Sequence, residues 1–212
     1  MVHLFVPASS FDQVSTFAPE LMVHKLDSEY ITDDVVEVLK PYNFDSIVIG
    51  PGMGKMDESL SATSNIITSF DNLVIDADAI NTYNFRFNNV LMTPHLGELT
   101  RLGIDSSEED LISFSKKHSI TLLLKGKIDV MTDGYRLKRN YTGHPRMAVG
   151  GTGDLLAGVC GGLMARGLSA FEAARLGSYV MGLAGQNCYD VNGPGFIPSD
   201  LGIFISKILG RQ

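Results

Sequence analysis

Apolar residues come along this chain in short unbroken blocks rather than in strict alternation. VHLFVP (2–7), SIVIGPG (46–52), NLVIDADA (72–79), NVLMTP (89–94) and ITLLLKG (120–126) are such blocks, and most end in Gly, Pro or Asp. A strand that is apolar at consecutive positions buries both of its faces, as in a parallel sheet. Helical patterns lie between the blocks. TDDVVEVLK (32–40) offers Thr32 as an N-cap with Asp33 and Asp34 in the first turn. MDESLSATSNIITSF (56–70) and SSEEDLISFSKKH (106–118) read as amphipathic helices with acidic starts. IDVMTDGYRLKRN (128–140) reads as a hairpin with Asp133-Gly134 as a two-residue turn. Three helices follow, over about 153–166, 169–187 and 199–209, with a Gly, Ala and Ser content suited to close packing. The alternation predicts an α/β fold, and residues 1–212 read as one domain without internal repeats.

Composition narrows the function classes. At 212 residues, 44% hydrophobic and 19% charged, the chain can bury a substantial core and is not disordered. A net charge of -7 is no match for nucleic acid or an anionic membrane, so neither is expected as a partner. Any anionic ligand must be held by local groups. Cys160 and Cys188 lack zinc or disulfide spacing and read as buried, reduced thiols. No basic segment followed by a cleavable apolar one opens the chain, so a cytoplasmic location is expected. The most apolar region, 154–187, is broken by Arg166, Glu172 and Arg175 and does not read as a membrane span.

Candidate chemistry collects at the ends of the apolar blocks. In AVGGTGDLLAG (148–158), Gly150, Gly151 and Gly153 free the backbone so that successive N–H groups can face one anion. A helix starting there adds its own free N–H groups. Asp154 behind them is either a favourable residue for the helix start or a general base beside a bound phosphate. IGPGMGK (49–55) fits neither the Walker A nor the dinucleotide pattern; it is a tight turn or a place where ligand meets backbone. VIDADAIN (74–81) puts Asp76 and Asp78 on one side of a strand end by period two, for a ligand, a metal or a structural hydrogen bond. LMTPHLGELT (91–100) suggests Thr93 as N-cap, Pro94 at the first helical position, and His95 and Glu98 in the first turns. Lys125 and Gly126 end a strand in LLLKGKIDV (122–130), where the lysine meets either phosphate or solvent. KKH (116–118) reads as a solvated helix face and NYTGHP (140–145) as a loop.

No one of these motifs is specific, but their order is. GPGMG, DADAIN, TPHLGE, KGKID and GHPRMAVGGTGDLLAGVCGGLMARGLSAFEAA together resemble the carbohydrate-kinase-like NAD(P)H-hydrate dehydratases. These form the C-terminal domain of bifunctional NAD(P)H-hydrate repair enzymes and belong to the ribokinase-like superfamily. The resemblance covers most of the chain. It implies a central, mostly parallel sheet with helices on both faces. It also implies nucleotide-dependent dehydration of the S form of NAD(P)H-hydrate. The added ring hydroxyl is phosphorylated, and phosphate departs as NADH or NADPH re-forms. Bacterial and archaeal members mostly use ADP, giving AMP and phosphate, and eukaryotic ones ATP; the stand-alone chain looks more like the former. Magnesium is expected with the nucleotide, although no all-protein cage is visible, and the resemblance suggests a homotetramer.

Carried over by position, Asp154 matches the base facing the substrate hydroxyl. Gly150, Gly151, Thr152 and Gly153 match the cradle for the transferred phosphoryl. Lys125, Gly126, Lys127, Ile128 and Asp129 match the nucleotide segment. Gly52 or Gly54, with His95, matches the hydrated-nicotinamide side. Family members usually begin with a Gly-rich strand and loop and an Ala-rich helix ahead of the strand that here reads VHLFVP. This chain starts at that strand, so the expectation is a domain lacking that element, with a sheet edge in need of cover. Two other readings stand beside this one: a small-molecule kinase of the superfamily, acting on a hydroxymethylpyrimidine or a sugar, and a nucleotide-binding protein without activity.

Overall fold

The computed structural model describes residues 1–81 and 89–210. Strand and helix alternate through β1 (Val2–Val6), α1 (Ala8–Ser15), β2 (Leu21–Lys25), α2 (Val35–Leu39), β3 (Ile47–Ile49), α3 (Asp57–Ser69) and β4 (Leu73–Ile75). Then come β5 (Val90–Met92), α4 (Leu96–Arg101), α5 (Glu108–His118), β6 (Thr121–Leu124) and the hairpin of β7 (Asp129–Thr132) and β8 (Leu137–Asn140). The chain closes with α6 (Thr152–Ala165), α7 (Ala170–Asn192) and α8 (Leu201–Leu209). A six-stranded sheet runs in the order β3-β4-β5-β6-β7-β8; β3 to β6 are parallel and the last two pairings antiparallel. Strands β1 and β2 form a separate two-stranded parallel sheet.

Cover on both faces explains the unbroken apolar blocks of β4, β5 and β6, but not those of β1, where only Val6 is buried, or β3, where Val48 is exposed. Leu73, Ile75, Val90, Met92, Leu122 and Leu124 face a layer built by α2, α3, α4 and α5. Their neighbours Val74, Leu91 and Leu123 face the opposite layer of α6, α7 and α8. Every residue of β4, β5 and β6 is buried. The small residues of the last helices serve close packing, as expected: a Cβ on Gly177 in α7 would lie 2.7 Å from the Cys160 sulfur in α6. Both cysteines are buried and unpaired. Burial, joined by the negative charges of Asp76 and Asp129, pushes the Cys160 thiol up to about 12.

Three local expectations are corrected. Thr32 is not an N-cap: α2 is only five residues long, Asp34 precedes it, and the Thr32 carbonyl accepts from Val35 N–H in a turn. The hairpin turns at Gly134-Tyr135, one residue later than Asp133-Gly134. The ladder ends at Thr132 and Leu137; beyond it Asp133 N–H donates to the Arg136 carbonyl, and the Asp133 carboxylate accepts from the N–H groups of Tyr135 and Arg136. Burial disfavours that carboxylate, but the hydrogen bonds outweigh it and hold its pKa below the ordinary value. Residues 8–25, left unassigned by pattern, contain both α1 and β2. Among the described residues no helix is long and apolar enough to cross a membrane.

Candidate active site

The carboxyl ends of β3 to β6 lie side by side, and the residues just past β4 and β6, Asp76 and Lys125, lie against Gly153 at the start of α6. Strand β4 ends at Ile75, and Ala77 at φ +49° turns the chain away. The period-two argument for Asp76 and Asp78 therefore does not apply, since neither lies in the strand. Asp76 is fully buried. Its Oδ1 accepts from Thr93 Oγ1 at 2.8 Å and from Lys125 Nζ at 2.6 Å, while Oδ2 has no partner among the described residues. Gly50 makes this depth possible: a Cβ there would lie 1.7 Å from the Asp76 carbonyl oxygen. Asp78 is half-buried; it accepts from Gly54 N–H at 3.1 Å and has Lys55 at 3.7 Å. The Gly52–Gly54 loop, both of whose glycines have positive φ, is thereby latched to the end of β4.

Thr93 was expected to cap a helix. It instead continues the ladder, its N–H donating to Ile75, and the Pro94 carbonyl accepts from Lys125 N–H at 2.8 Å. The helix begins two residues later with His95 as N-cap. Glu98 N–H donates to His95 Nδ1 at 3.2 Å, and His95 N–H to Glu98 Oε2 at 2.8 Å. The capping uses one ring nitrogen and leaves the His95 side chain exposed. His95 thus stands at the same sheet edge as Lys125, across a backbone bridge between the two.

Lys125 is neither a solvated turn residue nor free. It pairs with buried Asp76 and retains 17% side-chain exposure, pointing up beneath α6. Gly126, Lys127 and Ile128 are exposed. Asp129 closes this segment: its Oδ1 accepts from Gly126 N–H and its Oδ2 from Ser178 Oγ of α7 at 2.6 Å. Ser178 gave no signal in the sequence, and Thr93 signalled only a helix cap, because the partners of both are distant in the chain.

Helix α6 starts at Thr152, with Gly151 as N-cap in the left-handed region at φ +93°. The first N–H groups of a helix have no intrahelical partner, and here they sit behind two exposed glycines. A Cβ on Gly153 would lie 3.2 Å from Lys125 Nζ and 4.0 Å from Asp76 Oδ2. Backbone donors and an ammonium thus converge on one spot. Asp154 is exposed in the first turn and makes no side-chain hydrogen bond or ion pair among the described residues.

The NYTGHP loop is ordered by α7 rather than lying free in solvent. Gly182 and Gly185 leave room for Thr142 and the Met147 sulfur, each of which a Cβ would approach to 2.1 Å. Gln186 Nε2 donates to the Gly143 carbonyl, and the His144 ring stacks on Tyr189 at 3.8 Å. The Gly-rich turn therefore enters α6 from a fixed position. The structure places Gly52 and Gly54, His95 and Lys125 to Asp129 at one end of the sheet, and sets Gly153, from the Gly150–Asp154 segment, against Lys125.

Comparison with known proteins bears on this arrangement. The NAD(P)H-hydrate dehydratase family profile matches residues 1–207. The chain is 31% identical over 230 residues to the bifunctional NAD(P)H-hydrate repair enzyme of Methanothermobacter thermautotrophicus, covering 99% of this chain and 44% of that protein. It is 32% identical over 216 residues to the ADP-dependent (S)-NAD(P)H-hydrate dehydratase of Cenarchaeum symbiosum, covering 95% of this chain and 75% of that one. The chain spans less than half the length of the bifunctional relatives. In fold it is similar to the ADP/ATP-dependent NAD(P)H-hydrate dehydratase of Bacillus subtilis co-crystallised with ATP/Mg2+. There the TM-score is 0.81 at 22% identity, with 97% of this chain and 76% of that chain covered. A ribokinase-like superfamily protein of Enterococcus faecalis gives a TM-score of 0.83 at 21% identity, covering 99% and 76%. The fold is ribokinase-like.

Proposed function

The chain belongs to the NAD(P)H-hydrate dehydratase family, and from that premise we propose that it restores NADH or NADPH from the S form of the hydrate at the expense of ADP. Asp154 takes the proton from the ring hydroxyl as that oxygen attacks the terminal phosphoryl group. AMP leaves, and the new phosphate ester sits on a carbon from which hydroxide could not depart. The ring nitrogen lone pair then expels phosphate, and loss of a ring proton re-forms the double bond. Gly150, Gly151, Thr152 and Gly153 hold the moving phosphoryl with backbone N–H groups, donors that need no reorganisation. Lys125 to Asp129 carry the nucleotide. Gly52, Gly54 and His95 face the hydrated nicotinamide.

What supports this reading above all is the unpaired Asp154 carboxylate in the first turn of α6, beside an exposed glycine turn. Magnesium fits as an ion carried by the nucleotide's phosphates. Among the described residues no group of three or more His, Cys, Asp or Glu could hold a metal. Residues 1–212 act as one domain, and the resemblance extends the proposal to a homotetramer. The test is a repair assay on hydrated NADH and NADPH with ADP or ATP, for the native chain and Asp154→Asn. Restored nicotinamide absorbance is expected for the native chain, with kcat falling about 10²–10⁴-fold in the variant. A stable phosphorylated product without restored absorbance would make the protein a kinase instead.

A further inference from the structure

The buried pair below the cradle does something the motifs do not assign. We propose that Asp76 is a positioning residue, which aims the Lys125 ammonium at the anion held by the first turn of α6. An ammonium has three N–H donors. Lys125 gives one to Asp76 Oδ1 at 2.6 Å, and no other side chain among the described residues takes the rest. Its Nζ lies 3.2 Å from where a Gly153 Cβ would be, so the remaining donors lie against the helix start. The ammonium is the nearer of the pair to the helix start, at 3.2 Å from the Gly153 Cβ position against 4.0 Å for Asp76 Oδ2, and so stands beside the positive end of the α6 dipole.

Asp76 is held through its Oδ1 and its backbone. Thr93 donates to the same oxygen, the Asp76 N–H donates to Ile49, its carbonyl accepts from Ala79, and Gly50 lies against that carbonyl. The carboxylate is therefore a fixed wall, and the lysine takes its direction from it. Stability does not account for the arrangement. Buried ion pairs are often replaced by apolar groups without loss, and this one leaves Oδ2 buried without a partner. An ammonium fixed at the boundary of core and cradle accounts for it.

The inference rests on the reading that a phosphoryl group moves in the cradle, and the test separates the two. Asp76→Asn, Lys125→Met and the double variant are compared with the native chain. The readouts are thermal melting, calorimetric titration with ADP and with inorganic phosphate, and hydrate-repair kinetics. Asp76→Asn is expected to bind ADP about tenfold more weakly and to lose about 10–100-fold in kcat, as a misaimed catalytic contact does. Its KM for the hydrate should stay within about threefold of the native value. The double variant, which leaves no lone buried charge, should melt closer to the native chain than Lys125→Met does, yet be no more active. If the double variant regains ADP binding and turnover with its melting temperature, the pair is structural and the proposal falls. It falls equally if Asp76→Asn binds ADP as the native chain does, or if the native chain binds no ADP. If the native chain binds ADP but repairs no hydrate, the functional reading fails, and weaker ADP binding by Asp76→Asn still upholds the role of Asp76.

Discussion

The six-stranded sheet and the two-stranded one are both parallel in part, yet they are held in opposite ways. In β4, β5 and β6 every residue is buried, and successive side chains enter two different cores. In β1 only Val6 is buried, Val2 is 59% exposed, and α1 buries no residue at all. The smaller sheet is instead fixed by rings. His3, Phe5 and His24 stack on one face, and Tyr42 and Phe44 meet them edge-on. His3 Nδ1 and His24 Nε2 are 2.9 Å apart. The difference teaches where precision is stored. The candidate site grows from strands that cannot shift without opening two cores, whereas the amino-terminal sheet is held by ring contacts and by α1, which buries none of its own residues.

That contrast can be broken or sharpened by substitution. The largest effect on stability is expected from Gly50→Ala. Its Cβ would meet the Asp76 carbonyl at 1.7 Å, at a φ of +122°. Strain and overpacking together should cost roughly 3 kcal/mol or more, read as a lower urea midpoint with activity lost in parallel. Phe5→Ala removes one ring of the aromatic contact and should cost about 2 kcal/mol. Hydrogen exchange should speed up in β1 and β2 while β4 to β6 stay protected. Equal acceleration in both sheets would show that they open as one unit and end the contrast.

The smallest effect is expected from acid. Burial, and then the neighbouring His3, lower the His24 pKa from 6.5. The unfolded chain thus binds the proton more readily. This contribution to stability is present above pH 6.5 and is lost as pH falls through the lower folded value. His24→Gln should flatten the decline in melting temperature below that pH. An unchanged slope would place the acid sensitivity elsewhere.

The same contrast governs what could be read from sequence. Strands β4 to β6 were legible because two-sided burial writes an unbroken apolar run; β1 and β3 carry such runs with less burial. Strand β2 was not legible, since LMVHK is short, buries no residue fully and leans on rings at positions 3, 5, 42 and 44. At the candidate site, the glycines, His95, Lys125 and Asp154 stood out as candidates because each motif is local. The start of α4 was misplaced because Thr-Pro is a good helix opening by itself. Only the pairings of Thr93 with Ile75 and of Pro94 with Lys125 keep the chain extended there. The partners of Asp76 and Asp129 were invisible for the same reason: Thr93, Lys125 and Ser178 are 17 to 49 residues away.

The start of α6 has a consequence for how this protein can diverge. The anion donors proposed there are main-chain groups, and no codon change deletes a peptide N–H short of proline. Drift can obstruct them, as a side chain at Gly153 would over Lys125, but it cannot retune them one at a time. Under the proposed function, phosphoryl handling is thus inherited with the fold. Choice of the hydroxyl compound falls to replaceable side chains such as His95, which is where a descendant with a new substrate should first differ.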